Sequence, residues 1–382
     1  MKIGILTFYC SDNYGAMLQA YGLKTYVKTI NADTEIISYA PPFLTGRHWF
    51  VPYYVFKSKR QCLWFTLTGI KQNYQMGLDF FRQKRNMKIF RKKYLINTWK
   101  KIRNERGLKK LDYNIYIVGS DQIWNPDITF GLRKAYFGAF DNIHKKKVIA
   151  YAASLGGKEL PQVYNNEMKH LLKSVDVISM REEAAIPYIN NLTNKSVLAV
   201  SDPVFLIDAK QWERIEVKPQ KKNYILVYDT ENNVELNQYV KKLSMEKNLE
   251  VVQMKLHKAH DDVEFTIEVC AGPAEFLGYV HYADYVVTNS FHATAFSIIF
   301  QKSFLVFGHS SRNARLENVL TQCGLKNRII SKKQEMDIDE PMDWKTVEKK
   351  KENMVEKSKK FLEKSLFLKE DNDNEIIKEK KL

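Results

Sequence analysis

The stretch VVTNSFHATAF, residues Val286 to Phe296, decides the predicted fold. An apolar, β-branched run ends at Asn289 and Ser290, and His292 follows before a second apolar run, AFSIIF, that has the composition of a buried helix. A strand that leads directly into a helix is the repeating unit of a parallel sheet covered by helices. We therefore predict a strand-to-helix corner with an imidazole at the amino end of the helix. A neutral histidine that caps the helix is the alternative interpretation.

The alternation of strand and helix continues on both sides of this corner. Apolar runs predict strands at KIGILTF, EIISYA, YNIYIVGS, KVIAYAAS, VDVISM, VLAVSDPV, YILVYD, EVVQMK, YVVTNS and SFLVFG. A lysine-rich connection, EVKPQKKN at 216–223, interrupts the pattern before it restarts. We therefore predict an α/β protein of two Rossmann-like domains, 1–205 and 206–335, whose parallel sheets face a cleft. A basic aromatic insertion at about 41–110 belongs to the first domain, and 336–382 is a charged helical tail whose end we expect to be disordered.

Size and composition limit the class of protein. The 382 residues, of which 45% are hydrophobic, can form two packed cores. The first apolar run, MKIGILTFYC, is too short for a secretory signal, and no run reaches the ~18 apolar residues of a membrane span. The four cysteines lie far apart without a C-x-x-C spacing, and no motif requires a metal or a resident cofactor. We therefore expect a globular, cytoplasmic protein.

The positive charge is concentrated in one segment. Residues 47–110 contain 18 Lys and Arg and two acidic residues, whereas the rest of the chain has 42 of each kind. Aromatic residues are interleaved with the cations, as in HWFVPYYVF and FFRQKRNMKIFRKKYL. This mixture suits an anionic partner: membrane lipid headgroups, a polyphosphate-linked acceptor or, least of the three, nucleic acid. No signature of a nucleic-acid-binding module is present, so we expect no nucleic acid partner. The alternative is an ordinary amphipathic helix with solvated lysines.

Polar side chains also follow other predicted strands. In open parallel sheets, ligands bind at the carboxyl ends of strands, where the amino ends of helices favour anions. Arg181 follows VDVISM, and its guanidinium can form two hydrogen bonds to a phosphate or a carboxylate. The alternative for Arg181 is an ion pair with Glu182, Glu183 or another nearby acid. Isolated Asp and Asn residues at such positions commonly cap helices or stabilise turns. The further strand-end residues are Asp12, Asn13, Tyr14, Gly15, Ser120, Asp121, Asn125 and Asp202.

Six motifs carry a resemblance to a known family. NYGAMLQAYGL, VGSDQIWNP, YAASLG, ISMREE, SDP and EFLGYVHYADYVVTNSFHATAFSIIFQKSF occur in this order and resemble those of the polysaccharide pyruvyl transferase family. The resemblance runs from about residue 1 to residue 330 and omits the basic segment and the tail. It implies a glycosyltransferase-B-like fold. It also implies an enzyme that takes pyruvate from phosphoenolpyruvate and forms a ketal on two hydroxyls of a sugar, in a bacterial surface glycan or its lipid-diphosphate-linked precursor.

The resemblance also implies roles for individual residues. His292 would be the general acid that protonates the enol carbon, and an adjacent phosphate would favour its charged form. Asp121 would position the substrate or accept a proton from the attacking hydroxyl. The predicted donor-binding residues are Arg181, Asn289, Ser290, Phe291, Arg312 and Arg315, and the predicted acceptor-binding residues are Asn13, Tyr14 and Gly15.

One position departs from the family pattern. Many relatives have an arginine two residues before the histidine, where this chain has Ser290. We expect Arg312 or Arg315, after the next strand, to supply the missing cation. The alternative for both is a surface arginine at the start of a helix.

Two other functions remain open. The first is a nucleotide-sugar glycosyltransferase, because the same fold serves that chemistry. Against it, the chain has no glycine-rich nucleotide fingerprint, and its D-x-D spacings at Asp337 and Asp371 lie in a hydrophilic region. The second is a non-catalytic relative that docks on a membrane-bound assembly. In either the enzyme or the docking case, residues 47–110 would hold the protein at the inner face of the cytoplasmic membrane.

Overall fold

The computed structural model describes residues 1–45, 60, 63, 67, 78–98, 100–140, 146–256, 265–308, 313–330 and 337–367. Within these residues the chain forms two parallel six-stranded sheets, with helices in most of the connections between consecutive strands. Each sheet with its helices is called a domain below. This confirms the predicted fold class, an α/β protein with two parallel sheets. Among the described helices, none is both long enough and apolar enough to cross a bilayer.

The first sheet has the strand order β2-β1-β3-β4-β5-β6. Its central strands are buried along their whole length, which explains their continuous apolar composition, IGIL and IYIV. The strands are β1 (Ile3–Leu6), β2 (Thr34–Ile36), β3 (Ile115–Val118), β4 (Lys147–Ala153), β5 (Val177–Met180) and β6 (Val197–Ala199). The helices of this part of the chain are α1 (Tyr14–Ile30), α2 (Leu78–Phe90), α3 (Glu105–Leu108), α4 (Pro126–Thr129), α5 (Asn165–Leu172), α6 (Ile186–Leu192) and α7 (Ala209–Glu213).

The second sheet has the order β12-β11-β10-β7-β8-β9. Its strands are β7 (Tyr224–Tyr228), β8 (Glu250–Met254), β9 (Thr266–Glu268), β10 (Tyr285–Thr288), β11 (Ser303–Phe307) and β12 (Ile329–Ile330). Strands β9 and β12, of three and two residues, are absent from the sequence prediction. The helices are α8 (Val234–Lys247), α9 (Pro273–His281), α10 (Phe291–Ile299) and α11 (Asn313–Cys323).

The tail returns to the first domain as a long helix, α12 (Trp344–Phe367). One side of this helix is buried, including Phe361 and Leu362. The hydroxyl of Ser358 accepts a hydrogen bond from the backbone N–H of Ser201 at 2.8 Å, just after β6. Residues 344–367 are therefore part of the packed structure, and the predicted disordered end lies outside the described residues.

The two domains pack closely against each other through aromatic side chains. Tyr14, at the start of α1, is fully buried and stacks on Phe276 of α9 with ring centroids 5.1 Å apart. Its ring also lies 5.8 Å from that of Tyr228, at the end of β7. This packing places the carboxyl ends of strands from both sheets opposite one another.

Candidate functional site

A cavity of about 200 Å³ lies between the two domains. It is formed by the loops that follow β1 and β3 in the first sheet and β7 and β10 in the second. This is the location where open parallel sheets bind ligands. The lining residues are Phe8, Ser11, Asn13, Gly15, Ala16, Leu44, Asp121, Gln122, Ile128, Tyr228, Thr230, Asn289, Ser290, Phe291, His292, Arg315 and Leu316.

His292 lies at the second position of α10, as the sequence pattern predicted for this helix start. Ser290 is the N-cap residue, but its side chain makes no capping hydrogen bond to the helix. The first backbone N–H groups of α10 therefore keep donor capacity for an anion. The imidazole is 9% exposed, and its Nε2 has no hydrogen-bond partner among the described residues.

Gly15 brings the first domain into contact with this imidazole. A Cβ atom added at Gly15 would lie 2.0 Å from Nδ1 of His292, well inside van der Waals contact. Only glycine therefore allows the first turn of α1 to approach the ring this closely. Because α1 and α10 both begin at the cavity, their helix dipoles both favour negative charge there.

The protonation state of His292 follows from its burial. Burial lowers the pKa of His292 to about 4, and Arg181 and Arg315 add to this shift. Asp202 and Asp121 oppose it without cancelling it. The imidazole is therefore neutral at neutral pH in the absence of a ligand.

Asp121 follows β3 and has a left-handed backbone, with φ of 69°. Its Oδ1 accepts a hydrogen bond from the backbone N–H of Gln122 at 2.9 Å and lies 3.5 Å from a guanidinium nitrogen of Arg181. Burial raises the pKa of Asp121, but Arg181 and the other nearby basic groups outweigh burial and leave the pKa below its usual value. Asp121 is thus a stable carboxylate and a weak base.

Arg181 is buried beneath the cavity and does not line it. Its guanidinium donates to Oδ2 of Asp202 at 2.5 Å, and its Nε lies 3.8 Å from Oε1 of Glu182. With Asp121 it therefore contacts three carboxylates. The ion-pair alternative considered from the sequence is what the structure shows, while direct donor binding by Arg181 stays a prediction.

Arg315 supplies the positive charge at the cavity wall. It lies in the first turn of α11, and its guanidinium is 5.7 Å from the ring centroid of Phe291. Its Nε is 4.0 Å from Oε1 of Glu182, so one carboxylate lies near both buried arginines. Arg312, the other predicted replacement for the missing family arginine, lies outside the described residues.

Asn289 connects the ends of β7 and β10. Its Oδ1 accepts hydrogen bonds from the backbone N–H and the hydroxyl of Thr230, at 2.9 and 3.0 Å, and its Nδ2 donates to Asp229 at 2.6 Å. The side chain is 1% exposed. These contacts fix the loop before α10, so Asn289 holds the helix start in place.

The residues predicted to bind the acceptor differ in position. Gly15 and Asn13 line the cavity, although Oδ1 of Asn13 already caps α1 through the backbone N–H of Ala16 at 3.1 Å. Tyr14 is buried in the domain interface and does not line the cavity. Sequence reasoning missed the apolar wall formed by Phe8, Leu44, Ile128 and Leu316, since isolated apolar residues give no functional signal.

Comparisons with known proteins agree with the sequence motifs. The family model described as polysaccharide pyruvyl transferase matches residues 13–311. A comparison with curated protein sequences found no match.

Similar solved structures include an uncharacterized protein from Klebsiella pneumoniae, with 15% identity, coverage of 66% of this chain and 87% of that chain, and a TM-score of 0.37. The UDP-GlcNAc 2-epimerase of Methanocaldococcus jannaschii, in complex with UDP-GlcNAc and UDP, has 14% identity, 99% coverage of both chains and a TM-score of 0.43. The UDP-N-acetylglucosamine 2-epimerase of Rickettsia bellii has 13% identity, covers 97% of this chain and 100% of that chain, and has a TM-score of 0.42. The family match extends over most of the chain and includes the cavity residues from Asn13 to His292, so this chain belongs to the polysaccharide pyruvyl transferase family.

Proposed function

We propose that this protein transfers pyruvate from phosphoenolpyruvate to a sugar and forms a ketal with two of its hydroxyls, with release of phosphate. The sugar belongs to a bacterial surface polysaccharide or to its lipid-diphosphate-linked precursor. The observation that carries this proposal is the position of His292, whose imidazole lies where α1 and α10 both begin and Arg315 adds a positive charge. These features match a small, strongly anionic donor.

The size of the cavity supports a small donor. Its volume of about 200 Å³ is below the ~300–1,000 Å³ that is usual for sites of drug-sized ligands. The uncapped start of α10 would bind the phosphate through backbone N–H groups, and Arg315 would bind the phosphate or the carboxylate through its planar guanidinium. Ser290 and Phe291 contribute these backbone groups, with Asn289 holding their loop.

The proposed chemistry begins with a proton transfer to the enol carbon. The anionic donor raises the pKa of His292, and the charged imidazole gives its proton to the methylene carbon, which becomes a methyl group. The resulting oxocarbenium centre is attacked by a sugar hydroxyl, whose proton returns to the imidazole. Loss of phosphate and attack by the second hydroxyl complete the ketal, and the second hydroxyl proton leaves with the phosphate. No oxidation or reduction takes place.

Asp121 has an electrostatic role in this proposal. Its pKa lies below the usual range, so it stays charged and stabilises both the imidazolium and the positive charge at the reacting carbon. Arg181 acts through Asp121 and Asp202 as a positioning residue, because it contacts these carboxylates and does not line the cavity. The acceptor sugar would lie against Asn13, Gly15 and the apolar wall of the first domain.

The test is calorimetric titration with phosphoenolpyruvate, with nucleotide sugars titrated in parallel. Binding of phosphoenolpyruvate that is lost in Arg315→Ala, with His292→Gln unable to release phosphate in the presence of acceptor, is the expected result. Heat from a nucleotide sugar alone would instead support a glycosyltransferase of the same fold. Binding of neither class would favour a non-catalytic relative that docks on a membrane.

The cellular location forms part of the proposal. A lipid-diphosphate-linked acceptor would lie at the inner face of the cytoplasmic membrane, so the enzyme would act as a peripheral protein there. The net charge of residues 47–110, with 18 basic and two acidic residues, supports this location.

A further inference from the structure

Helix α2 is fixed to both domains through one of its faces. Met87 and Phe90 are buried in the core. The side-chain amide of Gln83 donates to the backbone carbonyl of Val269 at 2.6 Å. The side-chain amide of Asn86 donates to the backbone carbonyl of Cys270 at 2.8 Å. The helix is therefore a rigid part of the protein and presents a defined opposite face.

The opposite face combines apolar and cationic side chains. Phe81 is 65% exposed and Ile89 is 48% exposed, and Arg85 between them is also exposed. With 3.6 residues per turn, these three side chains lie within a sector of roughly 80°. Lys92 is exposed in the π-helical turn that continues α2. Two exposed apolar side chains on the cationic side favour a binding surface over an amphipathic helix whose lysines are only solvated.

The described residues upstream of α2 extend the pattern. Residues 60, 63 and 67 are helical and exposed, with Leu63 at 60% and Leu67 at 57%. Four of the ten large apolar side chains that are exposed in the described part of the chain thus lie between residues 63 and 89. They occur in the segment that carries the whole net charge of the protein. This concentration of apolar groups among cations is the composition of a helix that binds at a membrane interface.

We propose that the face of α2 and its π-helical continuation formed by Phe81, Arg85, Ile89 and Lys92, called the docking surface below, binds an anionic phospholipid bilayer. Its cations would contact lipid phosphates, and its apolar side chains would enter the boundary between headgroups and acyl chains. A soluble acidic polysaccharide would use the cations but would gain little from the exposed apolar groups. The inference rests on the proposed function for its biological meaning, because it places the enzyme next to a lipid-linked acceptor.

The docking surface is directly connected to the cavity. Asp12 forms ion pairs with Lys84 and Arg91, one in α2 and the other at its end. Its neighbours in sequence, Ser11 and Asn13, line the cavity. A bilayer bound at α2 is therefore one loop away from the rim of the site. This geometry favours an acceptor whose lipid is embedded in the same bilayer while its sugar reaches the cavity.

The experiment is co-sedimentation of the full-length protein with sucrose-loaded vesicles. One set is made of phosphatidylcholine and the other of equal parts phosphatidylcholine and phosphatidylglycerol. We expect binding to the anionic set only, and weaker binding as salt increases. Each cation near an anionic surface contributes about fivefold to binding, so Arg85→Ala with Lys92→Ala should weaken it by about 30-fold. The matched control, Lys345→Ala with Lys349→Ala on exposed positions of α12, removes the same charge and should bind like the original protein.

A second pair of variants separates a bilayer from a soluble polyanion. Phe81→Ser with Ile89→Ser should weaken vesicle binding several-fold at constant charge. Met245→Ser with Val163→Ser, which changes exposed apolar residues elsewhere, should have no effect. Equal binding to both vesicle sets, or unchanged binding in the Arg85 and Lys92 variant, would overturn the proposal. Vesicle binding that is insensitive to the Phe81 and Ile89 variant would indicate a purely electrostatic partner and would also overturn it.

The same proteins distinguish this proposal from the proposed function. Each docking-surface variant should keep its phosphoenolpyruvate affinity in calorimetry, because none of the substituted residues lines the cavity. Vesicle binding without phosphoenolpyruvate binding would leave the docking surface in place and remove the pyruvyl transfer proposal. Phosphoenolpyruvate binding without vesicle binding would overturn the docking surface and leave the pyruvyl transfer proposal standing.

Discussion

Binding of the donor should protonate His292. The pKa of about 4 in the unliganded protein means that roughly one molecule in a thousand has a charged imidazole at pH 7. Charging it at that pH costs about 4 kcal/mol, from three pKa units at 1.36 kcal/mol each. A single negative charge about 4 Å from the ring stabilises the imidazolium by about 4 kcal/mol at an effective dielectric constant near 20. The donor phosphate carries up to two negative charges. The donor can therefore bring the pKa of His292 to neutrality or above.

The assay is calorimetric titration with phosphoenolpyruvate at pH 7 in two buffers that differ in ionisation enthalpy, which counts the protons taken up. The original protein should take up close to one proton more per donor than His292→Gln. Its affinity should also fall about tenfold per pH unit between pH 5 and pH 7 relative to the variant, because each unit adds 1.36 kcal/mol to the cost of protonation. The comparison with the variant removes the titration of the donor phosphate, which is common to both proteins. Equal proton uptake in both would show that His292 stays neutral in the complex, and the general-acid role would have to be abandoned.

The other predictions concern the geometry and stability of the site. Gly15→Ala should displace the imidazole and abolish transfer, whereas Gly157→Ala, where an added Cβ has no close neighbour, should retain transfer. Phosphate release in the presence of acceptor measures both variants, and an active Gly15→Ala protein would contradict the contact between Gly15 and His292. Arg315→Lys keeps the charge but loses the planar guanidinium, so its phosphoenolpyruvate affinity should fall at least about tenfold, and an unchanged affinity would remove Arg315 from the donor site. Arg181→Ala leaves buried carboxylates without their cation and should lower the free energy of unfolding in urea by about 3–5 kcal/mol. Native stability of this variant would contradict the ion pairs. Since His292 has a lower pKa in the folded protein than its usual 6.5, the unfolded chain binds more protons between these values, and stability should decrease by about 3 kcal/mol as pH falls from 6.5 to 4 relative to His292→Gln.

The strand-to-helix corner shows how far sequence reasoning reaches. The run YVVT is buried as β10, and α10 begins at Phe291, where the polar residues interrupt the apolar pattern. These features depend on side-chain periodicity over a few residues, so they can be predicted locally. The same reasoning placed His292 and Asp121 at carboxyl ends of strands, and the cavity contains both.

The arginines show where that reasoning stops. Arg181 follows an apolar strand and has the sequence environment of an anion-binding residue, yet the loop after β6 brings Asp202 to 2.5 Å from it. The sequence names Arg312 and Arg315 as candidates for the missing cation without choosing between them, and the structure places Arg315 at the cavity wall. Which arginine faces the ligand depends on the order of strands in each sheet and on the angle between domains, and neither is encoded within a short window.

The sequence by itself determined the class of fold, the strand ends that carry polar groups, the segment that holds the net charge and the family resemblance. These follow from local composition, from the period of apolar residues and from motifs in a fixed order. Only the tertiary structure decided that Gly15 meets His292, that Tyr14 packs in the domain interface and that α2 exposes Phe81 beside its cations. The physical reason is that burial and close contact arise from the packing of two domains against each other, and burial then sets the charge of the imidazole.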